Sequence, residues 1–471
     1  MEMVPSRRLQ EHRRRNEASH FHCRHSGPLL WAEIMESSAV SRATTYPIAE
    51  SRCGWNALLP PRPPKTVVKI GTSYEYAVIG GGYTGLAAAR RLAELAPAAS
   101  ILLIEASEIG EGTSARNSGF ILTAPLMPHR SGHAADVAKT IKQGRIFDAG
   151  LTWLKRLVTE NSMSCDWNET GKYHAAVTES GIAGLRSLAD QYRDCGLLCE
   201  EIQPSDFSAR IGLSYYKYAL RTGNNIYVQP ASLVRGLADS LPPNVTLVER
   251  APVLSVSGRR PFLLELRGGD SPGSNRCDRE QRLRQEAGLY QEQDLQHLHL
   301  RRDDPRTRRR GTCRPWNGRR ILPAARAGTT LRRTIGRRFL VRSLHSYESE
   351  KSRSEVEASL QDLYKHRYPH LRTHRFEYVW GGALGLTGNT ETCFGKIADN
   401  IYTSAGCNGV GIMKGTAYGK LLAEMILGQN SEDIRDVRQM NSPSWLPPDP
   451  VLRWGVEFVM RRRKHQAGAE R

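Results

Sequence analysis

The chain has 471 residues, with 67 Lys and Arg against 48 Asp and Glu, a formal net charge of +19. That length buries more than one core, so two interleaved domains are expected. No run of about 18 apolar residues occurs, which argues against a helical membrane span, and the cysteines, none in a CxxC pair, point to reduced thiols rather than a zinc site or disulfide framework.

Residues 1–34 are rich in Arg and His. Met35 opens a stretch that runs straight into the patterned region of the chain, and we read Met35 as the initiator. A mitochondrial transit peptide is opposed by Glu2, Glu11 and Glu17, because such peptides avoid acids. Residues 76–79 then form a short apolar strand, followed by Gly80, Gly82 and Gly85 in G-x-G-x-x-G spacing. Gly80 permits a tight turn, Gly82 lets a pyrophosphate approach the backbone, and Gly85 lets the next helix pack close to the sheet. That helix carries Leu86, Ala89, Leu92 and Leu95 at helical spacing. Its first turn, with Tyr83 and Thr84, offers free N–H groups and a positive dipole end. A second strand, 101–104, ends at Glu105, where an acid would hold a ribose hydroxyl. The strand–turn–helix–strand–acid order reads as a dinucleotide site. Glu105 disfavours a 2′-phosphate, but the motif alone leaves FAD and NAD open.

Residues 130–225 are expected to supply a substrate domain. Ile146, Leu151, Leu154 and Leu157 fall at helical spacing, 167–178 reads as strands around a glycine turn, and 180–198 reads as another amphipathic helix. Residues 268–338 then hold about 18 arginines against about 8 acids, and no lysine occurs between Lys217 and Lys351. The stretch from 268 to 320 loses the pattern of its flanks, and we read it as translated out of frame or from retained non-coding sequence. A nucleic-acid-binding insertion and a disordered linker are the rivals; sparse aromatics weaken the first. Residues 339–342 again read as a strand. Near the end, 400–428 reads as strand, glycine turn and amphipathic helix, with Gly406, Gly409 and Gly411 keeping side chains off a flat ligand. The Arg461–Arg462–Arg463–Lys464 run reads as a solvated end.

The turn at 109–119, with Ser114, Arg116 and Asn117, resembles that of the D-amino-acid oxidase (DAO) superfamily of FAD-dependent oxidoreductases. The terminal glycine turn resembles the same superfamily's second FAD anchor. Residues 53–64, 226–238, 251–256, and Trp380-Gly381-Gly382 with Thr387 resemble its gamma-glutamylputrescine oxidoreductase-like branch. The resemblance implies an α/β fold: a Rossmann-like FAD domain of glutathione-reductase/DAO type, interleaved with an α+β substrate domain containing an antiparallel sheet. Three segments are expected to build the FAD domain, 45–130, 226–267 and 381–430. Two are expected to build the substrate domain, 131–225 and 321–380. Outside both stand an atypical extension (1–44), the anomalous arginine-rich segment (268–320) and a C-terminal tail (431–471).

Reduced thiols suit a cytoplasmic enzyme. Some oxidases of this superfamily attach FAD to a cysteine, but Leu384-Gly385-Leu386-Thr387 offers none there and Cys393 lies several residues late, so non-covalent FAD is expected. The resemblance further implies that the enzyme would oxidise the C–N bond of an amine or amino acid, a gamma-glutamylputrescine-like one included, by hydride transfer to flavin. Oxygen, a quinone or a carrier would reoxidise the flavin. An inactive or damaged paralogue with an incomplete FAD domain is the alternative. The FAD residues implied are Gly80, Gly82, Tyr83, Thr84, Gly85, Glu105, Ser114, Arg116, Asn117, Val253 (adenine region), Gly381, Gly406, Gly409 and Gly411. No catalytic base is expected, nor a metal. Arg116, Tyr216 and Lys414 are candidates for the reaction site. Lys414 stands one position beyond the carboxylate-holding lysine of sarcosine oxidases, about 100° around the helix.

Overall fold

The computed structural model describes residues 51–67, 71–123, 134–258, 261–266 and 352–467, apart from 170, 212–213, 224, 366–374 and 445. It also describes the strand segments Ser41–Arg42, Leu289–Leu300, Ile321–Leu322, Thr330–Arg333, Phe339–Arg342 and Ser346–Tyr347. The expected start at Met35 and the arginine run of 301–320 lie outside these residues.

Strand β1 (Tyr76–Ile79), helix α1 (Tyr83–Leu95) and strand β2 (Ile101–Ile104) have the bounds that the apolar pattern predicts. β1 and β2 run parallel in register, Tyr76 opposite Ile101 and Ile79 opposite Ile104. Parallel neighbours need a long crossover, and α1 supplies it. Every residue of β2 is buried, as expected of a strand covered on both faces.

The chain then leaves this sheet. Helix α2 (Ala134–Glu160) is followed by β3 (Lys172–Ala176), α3 (Glu179–Asp194), β4 (Cys199–Ile202) and β5 (Tyr218–Thr222). β5 lies between β3 and β4, antiparallel to both. Thr178 caps α3, its Oγ1 accepting from Gly181 N at 3.1 Å. Helix α4 (Pro230–Asp239) brings the chain back. Strand β6 (Val245–Val248) then joins β2 in parallel, giving the order β1-β2-β6. Strands β7 (Val253–Ser257) and β8 (Leu263–Leu266) form an antiparallel pair beside it.

In the segment read as patternless, the structure places strand β9 (Leu289–Leu300). It pairs with β10 (Phe339–Arg342), β11 (Ser346–Tyr347) and the long β12 (Phe376–Thr387). Periodicity did not reveal this strand because its order is carried by backbone pairing to β12, not by an alternating apolar face. The hairpin β13 (Cys393–Ala398) and β14 (Ile401–Ala405) leads into helix α5 (Gly411–Ile426).

Residues 431–471 were expected only as a C-terminal tail, with a solvated end at 461–464. They form helices α6 (Glu432–Gln439) and α7 (Val451–Ala467). Ser431 caps α6, its Oγ accepting from Ile434 N at 3.3 Å, and Glu432 and Asp433 complement the dipole. Asp436 docks α6 onto α2 through Lys142 at 2.8 Å and Arg145 at 2.6 Å.

The main core joins α1, β2, α2, α4 and α5, with Leu86, Leu103, Leu154, Val234, Met413 and Tyr418 among its buried side chains. Helices α1 and α5 approach closely because α5 carries glycine where they meet. A Cβ on Gly419 would lie 2.3 Å from the Thr84 carbonyl oxygen. That contact aims the N-termini of α1 and α5 at one space.

Candidate active site

That space is a cavity of 2290 Å³. Sites for single drug-sized ligands are about 300–1,000 Å³, so this one has room for a dinucleotide and a second small molecule. Gly80, Gly82, Tyr83, Thr84 and Gly85 line it from the first turn, Ser114 and Asn117 from the second. Gly406, Gly409 and Gly411 line it from the last turn.

The backbone explains these residue types. Gly80 has φ +104°, a region that favours glycine. A Cβ on Gly82 would lie 2.7 Å from Ser114 Oγ. Gly406 and Gly409 have φ of +83° and +80°. The N-cap positions of α1 and α5 are Gly82 and Val410, and neither makes a side-chain cap bond. Two helix N-termini therefore present backbone N–H groups and positive dipole ends to the cavity. In the second turn, Ser114 Oγ accepts from Tyr83 N at 3.2 Å, and Asn117 Oδ1 accepts from Gly119 N at 2.8 Å. Side-chain-free turns at two helix N-termini, both opening on one cavity, fit a pyrophosphate-bearing cofactor.

Four other residues expected at the cofactor do not line the cavity. Glu105 accepts from Gly81 N at 2.7 Å and Ser107 N at 2.9 Å, so its carboxylate braces the first turn. Val253 is buried with Leu102, Ile104 and Val248, while Ala251 and Pro252 reach the wall. Gly381 gives its carbonyl to Arg116 Nη1 at 3.0 Å, and Ala383, Leu384 and Gly385 line the cavity instead. Arg116, 3% exposed, donates to the carbonyls of Glu111, Gly381 and Ser51 at 2.6, 3.0 and 2.7 Å. Its fork is engaged behind the wall, so it ties the second turn to β12 rather than facing a ligand.

Tyr216 is also away from the cavity. It is buried with Tyr173, Phe207 and Ala219 beside the β3-β5-β4 sheet, its ring 6.0 Å from that of Phe207. Lys414 does line the cavity, despite its offset in sequence. It is 5% exposed, and its Nζ lies 5.8 Å from the Tyr418 ring centroid. Burial pushes its pKa down to about 8, with Glu391 acting the other way. Glu391 is itself paired with Lys139. Among the described residues the Lys414 ammonium has no hydrogen-bond partner.

Sequence reasoning missed several wall residues: Phe120, Leu122, Lys172, and Cys407 within the last turn. Lys172 Nζ lies 5.5 Å from the Phe120 ring centroid. It also missed the anchor of the lead-in segment. Glu249 is buried at the end of β6, the place Glu105 holds on β2. It accepts from Arg62 Nη1 at 2.8 Å, Lys65 N at 2.9 Å and Ile109 N at 2.7 Å. An acid ending an apolar strand was the available signal.

Residues 75–425 match the family model of DAO, the FAD-dependent oxidoreductases. The chain is 24% identical over 420 residues to a probable oxidoreductase OrdL of Rhizobium meliloti, covering 85% of this chain and 93% of that protein. It is 22% identical over 376 residues to gamma-glutamylputrescine oxidoreductase of Escherichia coli, covering 74% and 83%. Among solved structures, glycine oxidase from Geobacillus kaustophilus superposes with a TM-score of 0.60 at 16% identity, covering 76% of this chain and 96% of that one. L-Amino acid deaminase from Proteus myxofaciens gives 0.58 at 12% identity, covering 84% and 96%.

Proposed function

The chain belongs to the DAO family of FAD-dependent oxidoreductases, and from that membership we propose that it oxidises the C–N bond of a small amino acid or carboxylate-bearing amine. The observation that carries the substrate class is Lys414, a buried cation on the cavity wall with no hydrogen-bond partner among the described residues. A carboxylate would satisfy it with a charge-assisted bond.

Bound FAD would supply the acceptor for the hydride, which carries both electrons away from the substrate carbon. The chain's own residues position and shield. The α1 N-terminus and the Ser114–Asn117 turn would hold the pyrophosphate, and the α5 N-terminus would face the ring with its positive dipole end. Phe120, Leu122 and Leu384 give the wall an apolar surface that excludes water. Lys414 would fix the carboxylate, orienting the α-carbon. No general base is required if the amine binds neutral. Oxygen, a quinone or a carrier would reoxidise the flavin.

The cofactor is non-covalent in this reading. Cys393 is off the cavity wall, and Cys407 is the wall cysteine among the described residues. A cytoplasmic setting accords with free thiols at every described cysteine; no helix among the described residues is long and apolar enough to cross a membrane.

The test is turnover on α-amino acids paired with their decarboxylated amines, following the carbonyl product. At least one amino acid should react far faster than its amine. Equal rates across every pair would remove the carboxylate from the reading, and no turnover on any would remove the substrate class.

A further inference from the structure

Helix α7 (Val451–Ala467) presents its apolar side outward. Val451, Trp454, Phe458 and Val459 are 54%, 66%, 66% and 44% exposed. Trp454 and Phe458 are four apart and Val451 precedes Trp454 by three, so they share one face. Leu452, Val456 and Met460 are half-buried. The N-terminal end of the helix is tethered at β11: Tyr347 Oη donates to Asp449 Oδ1 at 2.9 Å, and the Arg453 guanidinium lies 5.9 Å from the Tyr347 ring centroid. A surface helix ordinarily turns its apolar stripe inward. Two large aromatic side chains left in water on a helix with an occupied inner side need a partner.

The composition of the helix says which one. It carries Arg453, Arg461, Arg462, Arg463 and Lys464 against a single acid, Glu457. Glu457 is engaged by Arg453 at 3.3 Å and Arg461 at 3.4 Å. Arg461 and Arg462 are exposed one turn beyond Phe458. Trp and Phe beside a run of arginines, on a helix that cannot span a bilayer, are the chemistry of an interfacial helix on anionic lipid. The aromatic rings enter the acyl boundary while long basic side chains reach the phosphate layer. A second copy fits less well, since each chain brings the same +19 charge.

We propose that α7 docks the protein peripherally on an anionic lipid surface through Trp454 and Phe458, with Arg461 and Arg462 holding the headgroups. This assignment does not rest on the proposed substrate, because neither the cavity nor the flavin enters it.

The test is co-sedimentation of the full chain with vesicles of phosphatidylcholine alone or mixed with phosphatidylserine, at low and high salt. The expected result is binding to the mixed vesicles, weak binding to the neutral ones, and weakening by salt. W454E with F458E should reduce binding at least tenfold, and R461Q or R462Q about fivefold each. All four side chains are exposed, so these variants should keep the wild-type thermal transition and FAD uptake. Equal partition onto both vesicle types would overturn the proposal, as would W454E/F458E binding like wild type. A dimer in sedimentation that W454E dissociates, without vesicle binding, would assign the face to a second copy instead.

Discussion

Gly85 and Gly80 are so close that a Cβ on Gly85 would lie 1.9 Å from the Gly80 carbonyl oxygen. The obstacle is backbone, and Gly80 already has φ +104°, so neither partner yields cheaply. G85A should push α1 off β1 and spoil the first turn. Overpacking of this kind costs about 1–3 kcal/mol or more. The expected outcome is a lower Tm and little FAD uptake by reconstitution; wild-type uptake would show that the turn tolerates the shift.

Lys414 should set a pH limit. Below about 8 its amine is protonated, and above that value the charge is lost. Carboxylate recognition should therefore fall as pH rises through about 8, while the substrate nitrogen must lose its proton in the opposite direction. A bell-shaped kcat/KM profile follows. Bound carboxylate raises the lysine's pKa, so the alkaline limb should sit higher in kcat than in kcat/KM. K414M should lower kcat/KM for an amino acid about 10- to 100-fold, as expected for loss of one charge-assisted bond, and abolish that limb. An unchanged profile in K414M would place the carboxylate elsewhere.

Arg116 should behave as a brace. R116K keeps the charge but loses the fork that reaches three backbone carbonyls. Stability should fall by about 2–4 kcal/mol, with turnover per bound flavin within about twofold of wild type. A large loss of kcat in flavin-loaded R116K would instead make Arg116 a member of the reaction site.

The Arg62–Glu249 pair is buried on both sides, with side chains 10% and 0% exposed. Removing one partner of such a pair costs about 3–5 kcal/mol. E249Q should lie at the low end, because Arg62 retains Asp239 at 2.9 Å. Denaturant unfolding of E249Q against wild type checks this; a change below the range would mean that Arg62 is held from elsewhere.

The first βαβ unit was legible because glycine spacing, helical period and two apolar runs all agree between Tyr76 and Ile104. The last turn was legible for the same reason. Tyr216 and Val253 show where such reading stops, because residue type does not say which side of a wall a side chain takes. Lys414 shows the converse: its helical offset from a familiar position counted against it, yet the fold sets it on the cavity. Helix α6 was missed although Ser431, Glu432 and Asp433 form a standard N-terminal signal, because proximity to the chain end outweighed it. Strand β9 had no readable period, and its neighbour β12 lies far along the chain.

The most direct measurement is the visible spectrum of the FAD-loaded protein, mixed anaerobically with a panel of amino acids and amines, then denatured. At least one amino acid should bleach the long-wavelength flavin band, and denaturation should release the flavin into solution. A protein that takes up FAD but stays oxidised with every compound, or one that takes up none, would contradict the assignment of this cavity to amino-acid oxidation.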